Sequence, residues 1–262
     1  MIHIEKILCS EPRGVISFVG GGGKTSLMFH LAGLLVLSGH RVLTTTTTRI
    51  FVPTPEQSET VLVDSEPEVI LRLVSASHQT SSHVTAASNY LAGSGKLKGF
   101  DTEAIHAFEK SGLFDWILVE ADGAAGRSLK APSEHEPVVP ACSTHIVAVA
   151  GLDILGRPLS EDCVFRSGLA GELMRLSEGE TVTESALARL LEHNLGPFKS
   201  APSGSRRFIF LNKADNPDRI EACSRIAGQL RRSVTPVAET LIAGRALERI
   251  MVHSVHSLGK AV

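Results

Sequence analysis

Four consecutive glycines, Gly20 to Gly23, separate two apolar segments of different periodicity and are followed at once by a Lys-Thr pair. The run VISFV at 15–19 predicts a short buried strand before the glycines. Apolar residues at 27–35 recur with the spacing of one helical face, which predicts a helix after them. Glycine loses more backbone entropy on folding than any other residue, so four in a row indicate a turn that needs their conformational freedom. The chain is therefore expected to pass from strand to helix through a glycine-rich loop.

A strand, a glycine-rich turn and a Lys-Thr pair at the start of a helix are together typical of a phosphate-binding loop. In such a loop the backbone N–H groups and the positive end of the helix dipole contact the phosphates, and the lysine reaches the outer phosphates. We expect the hydroxyl of Thr25 to bind Mg²⁺. The expected contacts to a nucleoside triphosphate, GTP or ATP, come from Gly20, Gly21, Gly22, Gly23, Lys24, Thr25 and Ser26. The usual pattern G-x-x-x-x-G-K-[ST] has a glycine where this chain has Phe18, and the alternative is a glycine-rich turn with an incidental lysine.

Strand-like and helix-like segments alternate along the rest of the chain. Further strands are predicted near 41–47, 60–64, 83–88, 116–122, 144–151 and 206–212. Further helices are predicted near 66–77, 101–111, 168–176, 183–193, 217–232 and 244–252. This alternation predicts an α/β fold, a doubly wound, mostly parallel sheet with helices on both faces, similar to P-loop NTPases. We expect a single domain over 1–262, with 151–206 as a helical insertion or cap, and a ligand at the carboxyl ends of the strands.

The composition narrows the classes of partner. The chain has 262 residues and a net charge of -2, so it carries no general attraction to nucleic acid or to an anionic membrane. One Trp and one Tyr argue against a platform for stacking nucleic-acid bases. The uncharged stretch at 25–39 is too short to span a bilayer, and the first residues do not resemble a secretion signal. A cytoplasmic protein that binds neither nucleic acid nor membrane is expected.

The run TTTTT at 44–48 ends a predicted strand and is followed by Arg49. Because β-branched threonines favour strands, the run is readily explained as ordinary sheet. In a doubly wound fold, however, the end of this strand lies beside the glycine loop. The hydroxyl of Thr47 is then a candidate Mg²⁺ ligand, and Arg49 a candidate to neutralise phosphate or substrate charge.

The segment WILVEADGAAGRSLKAP at 116–132 places two carboxylates, Glu120 and Asp122, at the end of an apolar strand. Residues two apart on an extended chain point to the same side, so both can face one site. Nucleotide hydrolases use such carboxylates to hold Mg²⁺, here assigned to Asp122, or to orient the attacking water. A solvated acidic turn is the alternative. Arg127 and Lys130 follow on a loop and are candidates for binding an anionic second substrate, or are surface cations.

The segment RRFIFLNKAD ends a third apolar strand with Asn212, Lys213 and Asp215. N-K-x-D in this position resembles the guanine-reading motif of GTPases, in which the aspartate accepts hydrogen bonds from the N1–H and N2 amino groups of guanine. Adenine presents no such pair of donors. The motif therefore favours GTP over ATP, with these three residues contacting the base.

Two other positions at strand ends are candidate substrate contacts. His135 lies in KAPSEHEPVVP, a proline-rich segment that is more simply explained as a rigid loop. Asp153 follows the apolar run THIVAVAG, where a doubly wound sheet exposes its carboxyl edge. Both are assigned to substrate, and Asp153 also to the surroundings of Mg²⁺.

Five segments of the chain together resemble the YqeC-type proteins. They are FVGGGGKTS, VLTTTTTRIFVP, ILVEADGAAGRSLKAPSEHEPVVP, VAGLDILGRPLSEDCVFR and FLNKAD. The resemblance implies an accessory factor in the maturation of a selenium-dependent molybdenum hydroxylase or of its selenium or molybdenum cofactor. A more remote resemblance to the P-loop metallochaperone GTPases of nickel and cobalamin enzymes implies a homodimer.

Three functions are compatible with these residues. The first is a Mg²⁺-dependent nucleoside triphosphate hydrolase in which Lys24, Glu120 and Asp122 are catalytic. The second is a kinase or activating enzyme that transfers phosphate to a small anionic substrate. The third is a non-hydrolysing module in which the bound nucleotide switches a docking surface for a partner protein.

Overall fold

The computed structural model describes residues 2–76, 82–233, 237–246 and 250–259. The strands in these ranges are β1 (Gly14–Gly20), β2 (Val42–Thr46), β3 (Arg49–Phe51), β4 (Thr60–Val63), β5 (His83–Ala87), β6 (Asn89–Leu91), β7 (Lys96–Lys98), β8 (Trp116–Glu120), β9 (Leu129–Lys130), β10 (His145–Gly151), β11 (Val164–Phe165), β12 (Arg206–Asn212), β13 (Thr240–Ala246) and β14 (Ile250–Ser257). The helices are α1 (Ile4–Leu8), α2 (Lys24–Leu37), α3 (Pro67–Ala76), α4 (Thr102–Lys110), α5 (Ser167–Met174), α6 (Glu184–Glu192) and α7 (Pro217–Leu230), with a 3-10 turn at Leu152–Ile154. None of the helices among the described residues is long and apolar enough to cross a bilayer.

Within the described residues, one nine-stranded sheet forms the centre of the fold, with strand order β14-β13-β12-β10-β1-β8-β2-β5-β4. Neighbouring strands are parallel except for β13 and β14, which pair antiparallel at one edge. The strand that ends in the glycine loop, β1, lies near the middle between β10 and β8. The predicted α/β fold with a mostly parallel sheet is therefore confirmed.

Helices cover both faces of this sheet, as the alternation of side chains along β1 illustrates. Ile16 and Phe18 point to one face and belong to a core with α1 and α2. Val15 and Val19 point to the other face, where α3 and α4 cover one half of the sheet and α5, α6 and α7 the other half. Since successive strand residues face opposite sides, a strand buried on both faces needs a continuous apolar run, which explains VISFV.

The helix predicted at 244–252 is wrong. Residues 244–246 end β13 and residues 250–252 begin β14, and the intervening 247–249 lie outside the described residues. Apolar residues in RALERIMV have helical spacing, but pairing with the edge of the sheet prevails over this local pattern. The segment SHQTSSH at 77–83, which its polar composition predicts to be a loop, lies mostly outside the described residues.

The helix-rich segment 151–206 lies beside the sheet. Its helix α6 falls within the predicted 183–193, α5 begins one residue before the predicted 168–176, and α6 packs against α7. Its short strand β11 pairs in parallel with β9, which links the segment to the loop that follows β8.

A second small sheet projects from the end of β2 and is called the arm here. It consists of β3, β7 and β6 in antiparallel order. Ile50 and Leu97 are buried beneath it, whereas Phe51 is 63% exposed on its other face. Strands of three residues give little periodic signal, so the sequence did not indicate the arm.

Candidate functional site

A cleft of about 880 Å³ opens where the carboxyl ends of β1, β8 and β12 meet the arm. The structure brings most of the predicted site residues to its walls. These are Gly22, Gly23, Lys24, Thr25, Ser26, Arg49, Glu120, Arg127, Asn212, Lys213 and Asp215. The other predicted site residues do not line this cleft: Gly20, Gly21, Thr47, Asp122, Lys130, His135 and Asp153.

The glycine loop is packed closely against neighbouring backbone. Gly20, Gly22 and Gly23 have φ values of +95°, +81° and +119°, which side chains other than glycine rarely adopt. A Cβ on Gly22 would lie 2.4 Å from the backbone nitrogen of Gly151 and 2.7 Å from the carbonyl oxygen of Ser128. The glycines are thus required by the protein's own loops.

The N–H groups of the first three glycines are bonded within the protein. Gly20 donates to Asp122 Oδ2 at 3.0 Å, and Gly21 donates to the carbonyl of Val149 at 2.9 Å. Gly22 donates to the carbonyl of Arg127 at 2.9 Å. The expectation that these three N–H groups point at phosphate is therefore not met in this structure.

The start of α2 supplies the free donors instead. Gly23 is the N-cap of α2 in a left-handed conformation, and no side chain caps the helix. Among the described residues, the N–H groups of Gly23, Lys24, Thr25 and Ser26 have no acceptor. Four adjacent free N–H groups thus lie at the positive end of a helix dipole and face the cleft, an arrangement that favours negative charge.

Lys24 lies between two carboxylates at the end of β8. Its Nζ is 3.1 Å from Asp122 Oδ1 and 3.8 Å from Glu120 Oε1, and it donates to the carbonyl of Gly20 at 2.6 Å. Thr25 Oγ1 donates to Glu120 Oε2 at 2.6 Å. Both acids thus face the loop, as their spacing predicts.

Burial shifts the pKa values of Lys24 and Glu120 in opposite directions. Burial alone disfavours the charged lysine, but Asp122 and Glu120 outweigh it and raise the pKa of Lys24. Burial raises the pKa of Glu120, although Lys24 and the hydrogen bond from Thr25 limit the rise. The pair therefore combines a firmly protonated lysine with a carboxyl that gains its proton more readily than an exposed glutamate.

Behind the cleft, Asp122 is joined to a partly buried ion-pair network that the sequence did not indicate. Lys130 Nζ lies 3.2 Å from Asp122 Oδ2 and 2.6 Å from Glu136 Oε2, and it donates to the carbonyl of Gly123. Arg166 also pairs with Glu136. Burial would raise the pKa of Glu136, but Arg166 and Lys130 hold it below its ordinary value. Lys130 is thus committed to positioning Asp122 and is not free to contact substrate.

Asn212 connects the N-K-A-D segment to the glycine loop. Its Nδ2 donates to the carbonyl of Gly22 at 2.7 Å, and its Oδ1 accepts from the N–H groups of Lys213 and Ala246, both at 2.8 Å. The side chain is buried. The bonds to Gly22 and Ala246 hold the end of β12 against the loop and against β13, and the bond from Lys213 fixes the turn that follows β12.

Lys213 and Asp215 occupy different positions on the cleft wall. Lys213 has a φ of +61°, and its Nζ lies 2.8 Å from Asp153 Oδ2. Burial would raise the pKa of Asp153, but the hydrogen bonds from Lys213 and Ser128 lower it. Asp215 is exposed and lies 3.2 Å from Arg219, one turn along α7. Asp153 therefore orients Lys213, and Asp215 keeps a solvent-facing carboxylate at this end of the cleft.

The threonine run mainly stabilises the end of β2. Thr46 Oγ1 donates to the carbonyl of Glu120 at 2.7 Å, and Thr47 Oγ1 donates to the carbonyl of Val138 at 2.8 Å. Thr47 faces an adjoining cavity of about 890 Å³. Its hydroxyl is thus engaged away from Thr25, whereas Arg49 is exposed and lines the cleft.

The remaining candidates have local roles. Arg127 Nε donates to the carbonyl of Glu161 at 2.7 Å, and its Nη1 to the carbonyl of Ala125 at 3.2 Å. These bonds hold the loop that accepts the N–H of Gly22. His135 is exposed on the proline-rich loop and does not line the cleft. Within the described residues, no group of three or more His, Cys, Asp or Glu side chains is placed to hold a metal ion.

Fold and cleft define an α/β protein with a P-loop-like turn from strand to helix at the carboxyl edge of its sheet. The family model for YqeC protein matches residues 16–168, and the chain belongs to the YqeC family. A protein of Escherichia coli (strain K12), named uncharacterized protein YqeC, is 40% identical over 218 residues. The match covers 83% of each chain.

Proposed function

We propose that this protein is a Mg²⁺-dependent, nucleotide-binding P-loop protein that hydrolyses a nucleoside triphosphate, with GTP favoured over ATP. The observation that carries the proposal is the bond from Asn212 to the carbonyl of Gly22. It joins the glycine loop at the start of α2 to the N-K-A-D segment, and residues of both line one cleft, which supports a ligand that spans them. A cleft of about 880 Å³ is within the range of small-molecule sites.

At the phosphate end, the proposal assigns the triphosphate to the start of α2. The free N–H groups of Gly23 to Ser26 would donate to phosphate oxygens, which need such donors because they carry negative charge. Lys24 is charged and borders the cleft, so it would neutralise charge on the outer phosphates. Its present partners, Glu120 and Asp122, hold it beside that position.

The oxygen atoms at this end fit Mg²⁺. Magnesium prefers oxygen ligands and is commonly held by one or two carboxylates together with the phosphates of the substrate. Thr25 Oγ1 and Glu120 Oε2 lie together, and the buried Asp122 Oδ1 accepts no hydrogen bond among the described residues, its contact being the ion pair with Lys24. Thr25 and one of these acids would hold the ion, which when bound neutralises charge on the phosphates.

Hydrolysis needs a group that orients water at the outer phosphate. Glu120 is the residue best placed for this role, because it lines the cleft while Asp122 lies behind it. The hydrogen bond from Thr25 fixes one oxygen, Oε2, and leaves Oε1 at 3.8 Å from Lys24. That oxygen would hold the water and accept its proton.

At the base end, the proposal assigns recognition to Asp215. Its exposed carboxylate offers two acceptors, which match the N1–H and N2 amino donors of guanine and have no counterpart in adenine. Lys213, held by Asp153, would lay its aliphatic part along the base. Asn212 would act as a positioning residue that keeps this end in register with the phosphate end.

The cellular setting belongs to the same proposal. YqeC-type proteins are associated with selenium-dependent molybdenum hydroxylases, and the proposed partners are such a hydroxylase or its cofactor-maturation proteins. Nucleotide hydrolysis would then drive one step of that maturation.

The reaction is tested by measuring phosphate release from Mg·GTP without any acceptor. We expect release by the wild type, loss of release in Glu120→Gln, and retained GTP binding in that variant. Glu134→Gln is the matched control, because Glu134 is exposed on the proline-rich loop outside the cleft. Binding without release by the wild type would contradict hydrolysis, and absence of binding would contradict the whole proposal.

A further inference from the structure

One end of the cleft lies beyond the residues assigned to nucleotide. In the sheet, β12 and β2 lie on opposite sides of β1. A nucleotide whose phosphates lie at α2 and whose base lies at Asp215 therefore extends toward β12. The arm, which follows β2, lines the opposite end through Arg49, Phe51 and Lys96.

The cations of this end have no ionic partner in the part of the chain that the structure describes. Among the described residues, neither Arg49 nor Lys96 takes part in an ion pair. The acids that line the same cleft are already engaged, Glu120 with Thr25 and Lys24, and Asp215 with Arg219. The arm end of the cleft is thus positively charged although the chain as a whole carries a net charge of -2.

The pairing of the arm places these side chains on one face. Phe51 is directly opposite Lys96 in the antiparallel register, and residues opposite each other share a face. Arg49 is two positions before Phe51 and so shares that face too. Lys96 Nζ lies 4.6 Å from the centre of the Phe51 ring. Lys98, directly opposite Arg49, is a third cation on this face, but it lines the adjoining cavity. Arg49, Lys96 and the exposed ring of Phe51 are the side chains of this face that border the cleft.

We infer that this surface binds the phosphate group of a second small molecule, a phosphorylated compound with a ring, next to the outer phosphate of the nucleotide. The position of this second molecule next to a nucleotide rests on the proposed function. The arm surface itself is described from the structure, independently of that proposal. Arg49 and Lys96 donate to the phosphate oxygens, and Phe51 packs against the ring. Of the cations that the sequence predicts to contact a substrate, Arg127 and Lys130 are engaged with the protein. Arg49 is the one that lines the arm end of the cleft.

Titration calorimetry with inorganic pyrophosphate tests the inference on the full chain. We expect two binding events in the wild type, one at α2 and one at the arm. Saturating Mg·GTP removes only the first event. Arg49→Ala/Lys96→Ala weakens only the second, about tenfold or more, because charge-assisted hydrogen bonds are lost. Lys110→Ala, an exposed lysine at the end of α4, is the control and leaves both events unchanged.

The outcomes separate the two proposals. The first possible outcome is one binding event that is unaffected by Mg·GTP and lost in the double variant. This result supports the arm site and contradicts the nucleotide site. The second possible outcome is one binding event that is abolished by Mg·GTP and retained in the double variant. This result overturns the arm site. Phenyl phosphate, added with Mg·GTP present, is expected to bind more tightly than inorganic phosphate to the wild type but not to Phe51→Ala. Equal affinities in the wild type would overturn the role of the ring.

Discussion

The amide nitrogen of Asn212 donates a 2.7 Å hydrogen bond to the carbonyl of Gly22, across 190 positions of sequence. The same side chain accepts from the N–H of Ala246. One buried amide thus joins β12, β13 and the glycine loop, and it fixes the distance between the two ends of the cleft. The proposed nucleotide site depends on this connection, because it would hold the phosphate end and the base end at a fixed separation.

Replacing Asn212 by alanine is expected to destabilise the fold by about 1–3 kcal/mol, because two buried N–H groups and one carbonyl lose their partners. Asn212→Asp should cost at least as much at neutral pH, since it retains the acceptor for Ala246 and Lys213 but turns a buried carboxylate oxygen toward the carbonyl oxygen of Gly22. Denaturant unfolding measures both, with Asn194→Ala as the control because Asn194 is exposed. Equal stability of Asn212→Ala and the wild type would show that the bond contributes nothing.

Gly22→Ala is expected to be far more damaging than Gly126→Ala. Both glycines have positive φ, +81° and +76°, so both substitutions carry backbone strain of about 1–2 kcal/mol. Only at Gly22 does the added Cβ also meet backbone atoms, of Gly151 and Ser128; nothing lies within 4 Å at Gly126. Thermal melting of the two variants compares them directly. Equal shifts in Tm would mean that the loop relaxes away from its neighbours.

The pKa of Glu120, raised by burial, predicts a specific pH dependence. A carboxyl with a raised folded-state pKa holds its proton more tightly in the folded than in the unfolded chain. Its favourable contribution is present below the unfolded pKa and is lost as pH rises through the folded pKa. The free energy of unfolding of the wild type, minus that of Glu120→Gln, should therefore fall as pH rises above about 4. A difference that stays flat with pH would contradict the burial of a charged group here.

Glu136 should show the opposite dependence, because Arg166 and Lys130 overcome burial and lower its pKa. Its stabilising contribution is present above the unfolded pKa and is lost as pH falls through the folded pKa. The wild type should thus exceed Glu136→Gln in stability at neutral pH and lose that advantage in acid. Urea unfolding across the acidic range measures it. Glu134→Gln, two positions away and exposed, should show no such change.

Local patterns were sufficient to predict the central part of the fold. The change from continuous apolar residues to helical spacing around four glycines gives β1, the loop and α2. The proximity of Glu120 and Lys24 follows because parallel strands share a carboxyl edge. These inferences need only the period of the side chains and the topology of a parallel sheet.

Long-range partners could not be predicted in the same way. Nothing in the residues around Lys130 indicates that Glu136 and Arg166 will surround it, so it resembled a surface cation. The N–H of Gly22 donates to the backbone carbonyl of Arg127, which lies far along the chain. No local sequence pattern indicates this hydrogen bond. The helix predicted at 244–252 was wrong because pairing of β13 with β14 outweighs helical spacing.

The central claim is tested most directly by titration calorimetry of Mg·GTP and Mg·ATP on the wild type and Asp215→Ala. Asp218→Ala is the control, since Asp218 is an exposed aspartate in the first turn of α7 that does not line the cleft. The account predicts tighter binding of GTP than ATP by the wild type and by Asp218→Ala, and similar binding of both by Asp215→Ala. Equal affinities or a preference for ATP in the wild type would contradict guanine recognition, and no binding of either would contradict the nucleotide site itself.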